Sequence, residues 1–383
     1  MRQLRTMRAR ATDEPHRAAT PLELFFDLFF VVAVSFAGSQ LGHALSAGHL
    51  SEALIGYLTA FFAIWWAWMN FTWFASAYDT DDWVYRVITL VQMSGVLVLA
   101  AGISRAFEHH DYRVFWVGFL VMRLAMATQW LRAAASDPGH RRVALRYAIG
   151  ICLAQVYWLV LFVSWGSTLI AAFALGAVIE LAVPVWAERG TRTNWHPHHI
   201  AERYGLFTII MMGENVMAAT ISLRGALSAQ GLTPTLVTLA IGSLVIVFAL
   251  WWIYFDPDTP AILTSNRRAI PWGYGHYLIF AAVGGLSAGI EVVLAFVTGE
   301  SALTRSQAGL AIAIPVALFL LVVWALHIRP HRYGAADTAA FLIAALLVLL
   351  SALAPSAIPL IAVVVAGLVV ATMLIRREVS PAR

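Results

Sequence analysis

Acidic and basic side chains make up only 12% of this 383-residue chain, and several of them interrupt long apolar runs. A carboxylate or guanidinium placed there needs a partner, a proton or a watery path. Thr20-Pro21-Leu22-Glu23 has the form of a capping box with proline at the first helical position, so Glu23 either caps a helix or contributes charge to a pathway. Asp27 follows one turn later among Phe25, Phe26, Phe29 and Phe30, where it calls for a cation, a donor or a bound proton. Arg123 lies mid-run in Phe119-Leu-Val-Met-Arg-Leu-Ala-Met126, with Glu180 and Glu214 at similar depth as candidate partners. Such a pair either fixes helix packing or works as a switch in which a proton or cation competes for the carboxylate. Glu214 and Asn215 follow Gly213, an uncommon polar doublet inside an apolar run. His276 and Glu291 share another run but sit about 22 Å apart on a straight helix, so one metal cannot bridge them unless the helix breaks at Gly284-Gly285.

Further polar residues gather where apolar runs end. Asp79, Asp81 and Asp82 close one, with Arg86 four residues beyond Asp82, and Asp256 and Asp258 close another. These are either solvated helix ends, with Asp82 pairing to Arg86, or acidic mouths that concentrate cations. His196-Pro197-His198-His199 lacks a carboxylate at ligand spacing, so no metal site is expected from it. Trp65, Trp66, Trp68 and Trp73 either pack helices or line a cation–π path. Every one of the 25 basic residues is arginine, which removes Schiff-base and phosphate-loop lysine chemistry. One cysteine, Cys152, removes an internal disulfide and Cys-ligated metal centres. No cofactor and no catalytic residue is expected.

The elements that must position these residues are membrane spans. A composition 61% hydrophobic cannot cover a globule with polar surface, and a spanning helix needs ~20 mostly apolar residues. Twelve such runs occur at about 22–45, 53–77, 87–104, 114–132, 145–165, 167–187, 203–222, 235–255, 273–297, 308–328, 335–353 and 356–375. The expected fold is all-α and polytopic, with no soluble catalytic domain. Its parts are an Arg-rich tail (1–21), a first six-helix unit (22–190), a linker (191–202), a second six-helix unit (203–375) and a short tail (376–383). The N-terminal run has no cleavage site and reads as the first span.

Arginines sort by side. Arg105, Arg113, Arg224 and Arg305 fall on one face, Arg123 falls within span 4, and the remaining 20 fall on the other face. The positive-inside rule makes that second face cytoplasmic, with both termini there, in a bacterial plasma membrane. The net charge of +4 is then a topology signal, and no nucleic-acid partner is needed. Spans 1 to 3 and 7 to 9 echo one another in order: Thr20–Ala33 against Ala201–Asn215, Trp65–Asp82 against Ala249–Asp258, and Ala100–Ser104 against Ser287–Glu291. Two parallel repeats of six spans follow.

These residues resemble the bacterial low temperature requirement A family. The likeness runs through Glu23-Leu-Phe-Phe-Asp27-Leu-Phe-Phe30, Trp65-Trp-Ala-Trp68, Asp79-Thr-Asp-Asp-Trp83 with Arg86, and Glu202-Arg-Tyr-Gly-Leu-Phe-Thr-Ile209. It continues in Gly213-Glu214, Tyr254-Phe-Asp256, Tyr274-Gly-His276 and Gly289-Ile-Glu291, covering nearly the whole chain. The resemblance implies a multi-pass plasma-membrane protein linked to growth in the cold, and no particular reaction. A weaker likeness is to channels with duplicated six-helix units and an Arg-x-x-x-Phe-Ser-Asp motif. Phe25-Phe26-Asp27 looks like its last part with Pro21 at the arginine position, while Arg203 and Phe207 keep the arginine and phenylalanine without the aspartate.

The main expectation is a transporter or channel for a cation, proton or small solute, along a pathway between the two units. The alternatives are an intramembrane enzyme acting on a lipid or isoprenoid, and a non-transporting scaffold or stress sensor. Membrane lipids and an unidentified solute or ion are the expected partners, with a homodimer as a further option.

Overall fold

A computed structural model describes residues 5–10, 14, 17–109, 111–164, 170–331 and 333–379. Among them there are helices and no strands. In chain order the helices are α1 (Pro21–Ser46), α2 (Leu50–Tyr78), α3 (Trp83–His109), α4 (Arg113–Ser136), α5 (Arg141–Ser164) and α6 (Ile170–Ala187). Then follow α7 (Pro197–Gln230), α8 (Pro234–Phe255), α9 (Asn266–Thr298), α10 (Arg305–His331), α11 (Ala335–Ser351) and α12 (Ala357–Val379). Eleven are long and apolar enough to cross a bilayer, and α11, at 17 residues, is the shorter apolar helix. The chain is a multi-pass, all-α membrane protein.

Several boundaries differ from the expected ones; α7 ends at Gln230 rather than near residue 222, and α9 begins at Asn266 rather than near 273. α7 begins at Pro197 rather than near residue 203, because proline suits the first helical position and two polar side chains of its first turns, His199 and Arg203, are buried against acidic partners. The linker shrinks accordingly. α10 runs on to His331 through a single π turn at Trp324–Ile328. The last helix extends to Val379, so the first half of the expected C-terminal tail is helix, and residues 380–383 lie outside the described residues, as do 1–4, 11–13, 15 and 16 of the N-terminal tail.

The chain divides into two compact units, one of Met1–Ala37 and Leu58–Tyr204, the other of Gly38–Tyr57 and Gly205–Arg383. In the first, α3, α4, α5 and α6 pack each against the next in sequence. α3 and α4 approach closely at glycines: a Cβ on Gly118 would lie 2.2 Å from the Leu99 nitrogen, and one on Gly102 2.3 Å from that of Phe115. Small residues that let backbones touch are the usual source of helix association where lipid supplies no hydrophobic drive. In the second unit α9 is the buried centre, packed on α10, while α10, α11, α12 and α8 follow in a chain of neighbours.

Candidate functional site

α1 and α7 both open on a proline, Pro21 and Pro197. Two residues beyond it α1 carries Glu23 and α7 carries His199; six residues beyond, about 9 Å along the axis, they carry Asp27 and Arg203. Acid thus meets base at matching registers. Arg203 Nη2 donates to Asp27 Oδ1 at 2.6 Å, and His199 Nε2 lies 3.0 Å from Glu23 Oε1. All four side chains are buried. Glu23 also completes the capping box, with Thr20 N–H donating to its Oε2 at 2.7 Å and Glu23 N–H donating to Thr20 Oγ1 at 3.3 Å. Glu23 therefore caps α1 and also faces His199.

Aromatic side chains of α2 wall this cluster. Trp68 Nε1–H donates to Asp27 Oδ1 at 2.7 Å, the same oxygen that takes Arg203. Trp73 Nε1–H donates to the Tyr204 hydroxyl at 3.1 Å, and Trp68 meets the Tyr204 ring edge-on. Asp27 Oδ2, Arg203 Nε and Nη1, and His199 Nδ1 are buried and make no hydrogen bond. A second acceptor and several charged donors therefore stand ready in a low-dielectric site, where an unmade hydrogen bond is costly. The cluster can exchange a proton or hold a small hydrogen-bonding solute.

The other buried arginine answers the question of its partner. Arg123 Nη2 donates to Glu180 Oε2 at 2.6 Å, so Glu180 and not Glu214 takes it. Trp66 Nε1 donates to the same oxygen at 2.9 Å; Gln155 Nε2 and Trp158 Nε1 donate to Oε1 at 3.0 and 3.3 Å. Four donors from α2, α4 and α5 thus converge on one carboxylate of α6. The Phe119 ring lies 5.8 Å from the Arg123 guanidinium. Arg123 is not alone inside the spans, as arginine sorting had implied, since Arg203 sits within α7 and is fully buried.

Three of the five acids expected at the mouths, Asp81, Asp82 and Asp256, are paired with arginines. Arg86 pairs with Asp81 at 2.7 Å rather than with Asp82. Asp82 instead caps α3, accepting from Tyr85 N–H at 2.9 Å, and binds Arg132 and the backbone N–H of Arg5. Burial works against its charge, yet Arg132 and the two backbone donors hold the carboxyl below its ordinary range. Asp79 goes the other way: burial, reinforced by the Glu23 charge, pushes it up to about 6 despite Arg17 and Arg10. In the second unit Asp256 is bound by Arg376, whose Nε also donates to Asp337 Oδ1 at 3.1 Å. Asp258 offers its carbonyl to His331 Nε2 at 3.0 Å.

The remaining expected residues also belong to the second unit. Asn215 Nδ2 donates to the carbonyls of Met211 and Val283, both at 3.0 Å. Glu291 lies within electrostatic reach of Glu214 and rests against Gly42, where a Cβ would come 2.7 Å from its Oε2. His276 and Glu291 occupy one continuous helix, so they stay apart. Among the described residues no group of three His, Cys, Asp or Glu side chains is placed to hold a metal. Within the histidine run, His199 meets Glu23, and His196 Nε2 meets the Glu14 carbonyl at 2.8 Å.

Arg203, His199, Trp66, Trp68, Gln155 and Trp158 were not singled out from sequence in these roles. Alignment of spans 1 and 7 on their opening prolines is the signal that finds the first two, because it sets acids against bases. The tryptophans carried no such signal, since a donor and a packing residue look alike in sequence.

Comparison with known proteins places the chain. The family described as "Bacterial low temperature requirement A protein (LtrA)" matches residues 18–374. A protein of Rhizobium meliloti (strain 1021), "Uncharacterized protein RA0937", is 26% identical over 300 residues, which covers 73% of this chain and 71% of that protein.

Proposed function

The chain belongs to the bacterial low temperature requirement A family, and from that premise, which assigns no reaction, we propose a transporter or channel for a proton, cation or small solute. The observation that carries this reading is the fully buried Asp27–Arg203 pair, which leaves Asp27 Oδ2 and two arginine nitrogens without partners. A proton arriving on Asp27 releases Arg203, whose free donors then take an anionic or neutral group of the solute. Departure of the proton restores the pair. Glu23 and His199, one turn nearer the helix starts, form the step between this pair and the membrane face.

In this reading the Glu180 cluster holds the first unit together and does not titrate during transport. Glu214, Asn215 and Glu291 provide a second polar station in the second unit. The arginine distribution supports cytoplasmic termini in a plasma membrane, and the ordered echoes of spans 1 to 3 in spans 7 to 9 support two parallel repeats. The test is flux in liposomes containing the purified chain, under imposed proton and cation gradients. Wild type carries a gradient-driven flux, and Asp27→Asn lowers it at least tenfold. Absence of any wild-type flux, or unchanged flux in both Asp27→Asn and Glu214→Gln, overturns the proposal.

A further inference from the structure

Three side chains of the second unit converge without a role in the proposal above: Tyr254 near the end of α8, His276 on α9, and His327 in the π turn of α10. His276 Nδ1 contacts the Trp272 carbonyl at 2.8 Å. A carbonyl only accepts, so Nδ1 carries the proton and Nε2 presents a lone pair. That lone pair faces the Tyr254 hydroxyl at 3.0 Å. A backbone carbonyl fixing the tautomer of an imidazole, so that its other nitrogen is aimed, is the usual outer support of a metal-ligating histidine. His327 is fully buried, and neither of its ring nitrogens has a hydrogen-bond partner. Burying a polar ring in this state is unfavourable, and π turns recur where function demands a local departure from the α-helix.

We infer that His276 Nε2, His327 and the Tyr254 oxygen form a binding site for an imidazole-preferring transition-metal ion, Cu+ or Zn2+. The spacing fits. With metal–nitrogen bonds of about 2.0–2.1 Å, two imidazoles at adjacent tetrahedral corners have ring centres about 5.2 Å apart. The rings of His276 and His327 are 5.3 Å apart. Nitrogen and oxygen ligands at adjacent corners lie about 3.3 Å apart, close to the 3.0 Å between His276 Nε2 and the Tyr254 hydroxyl. The Tyr254 and His327 rings lie 4.9 Å apart, so the three side chains are mutual neighbours. The Trp272 ring lies against both imidazoles, tilted to His276 at 4.1 Å and stacked on His327 at 5.8 Å, and keeps the surroundings apolar. One turn beyond His327, His331 bridges the carbonyls of His327 and Asp258.

The two ions differ in a measurable way. Cu+ binds two neutral imidazoles and leaves the phenol protonated. Zn2+ binds with Tyr254 as phenolate, displacing one proton to solvent and leaving one net positive charge in the site. Thr208 beside the Tyr254 oxygen supplies a hydrogen bond to that phenolate.

The test uses the full chain in detergent, stripped by a chelator and titrated separately with Cu+ under reductant and with Zn2+, each against a chromophoric competitor. Wild type takes up one equivalent of at least one ion, with one proton released per Zn2+. His327→Phe keeps the ring volume and removes both nitrogens; it elutes as wild type does and binds at least 100-fold more weakly. Tyr254→Phe retains Cu+ and loses Zn2+, and His198→Ala, at an exposed histidine outside the site, binds as wild type does. Substoichiometric uptake of both ions by wild type overturns the inference, as does wild-type affinity in a folded His327→Phe or lost affinity in His198→Ala. None of these outcomes bears on flux, so this site and the transport proposal stand or fall separately.

Discussion

Glu180 and Asp27 are both buried carboxylates in the first unit, each paired with a buried arginine at 2.6 Å, and they are surrounded very differently. Glu180 accepts on both oxygens, from an arginine, two indoles and an amide on three other helices. Asp27 accepts twice on one oxygen and not at all on the other. A carboxylate with every lone-pair direction taken is a joint, because protonation would strand several donors at once. A half-used one retains capacity for an incoming proton or solute. The contrast teaches that a charge inside a membrane span is not by itself a mark of function. What distinguishes the two is how many of its hydrogen bonds are already made.

The largest effect is expected at the joint. Replacing both Arg123 and Glu180 by Leu removes the charges but leaves Trp66, Gln155 and Trp158 without their acceptor. At ~1–3 kcal/mol for each of the three stranded donors, the loss is roughly 3–9 kcal/mol, read as a collapse of the thermal unfolding midpoint in detergent. The matching double replacement at the other pair, Asp27→Asn with Arg203→Met, leaves Trp68 an amide oxygen to bond. Removing both members of a buried pair is often nearly neutral, so stability stays within about 1 kcal/mol of wild type while flux is lost. Equal destabilisation of the two double variants would break the comparison.

The same contrast recurs more weakly at the rim, with the sign of its pH dependence reversed. The carboxyl of Asp82 is held low, so its contribution to stability is present above the ordinary aspartate range near pH 4 and is lost as pH falls through its lowered value. Asp82→Asn therefore destabilises by about 1–2 kcal/mol at pH 7, and the gap to wild type closes on acidification. Asp79 is pushed up to about 6, so its protonated form is the better tolerated one. Stability associated with it is complete below about pH 4 and is lost as pH rises through about 6. Asp79→Asn accordingly raises the free energy of unfolding at pH 7–8 by about 1 kcal/mol or less after solvent screening, and does nothing at pH 4. A gain at pH 4 as large as that at pH 8 would show that the carboxylate charge is not the cause.

Much of this was legible in the residues because it is local. The spans are runs of apolar side chains. The Thr20–Glu23 capping box is a four-residue pattern that needs no tertiary contact to form. The start of α7 was not legible from hydropathy, since His198, His199, Glu202 and Arg203 depress the apolar average, and only buried partners make that segment worth burying. Arg203 looked like one more cytoplasmic charge for the same reason. Its partner is 176 residues away, and the link is visible only when both helices are counted from their prolines. Trp66 and Trp68 are two residues apart on α2, hence on different faces, and each ends on a different carboxylate. Nothing in a run of tryptophans announces that division. Arg123 was legible as a buried charge, and its choice of Glu180 required three dimensions.

The most direct test of the central claim is proton flux in liposomes for three preparations of equal, folded protein: wild type, Asp27→Asn with Arg203→Met, and Glu180→Gln, which keeps one acceptor oxygen at the joint. Wild type and Glu180→Gln are expected to carry comparable flux per folded molecule, with the Asp27/Arg203 variant at the level of protein-free vesicles. Undiminished flux in the Asp27/Arg203 variant, or its loss only in Glu180→Gln, would contradict the assignment of transport to the half-satisfied pair.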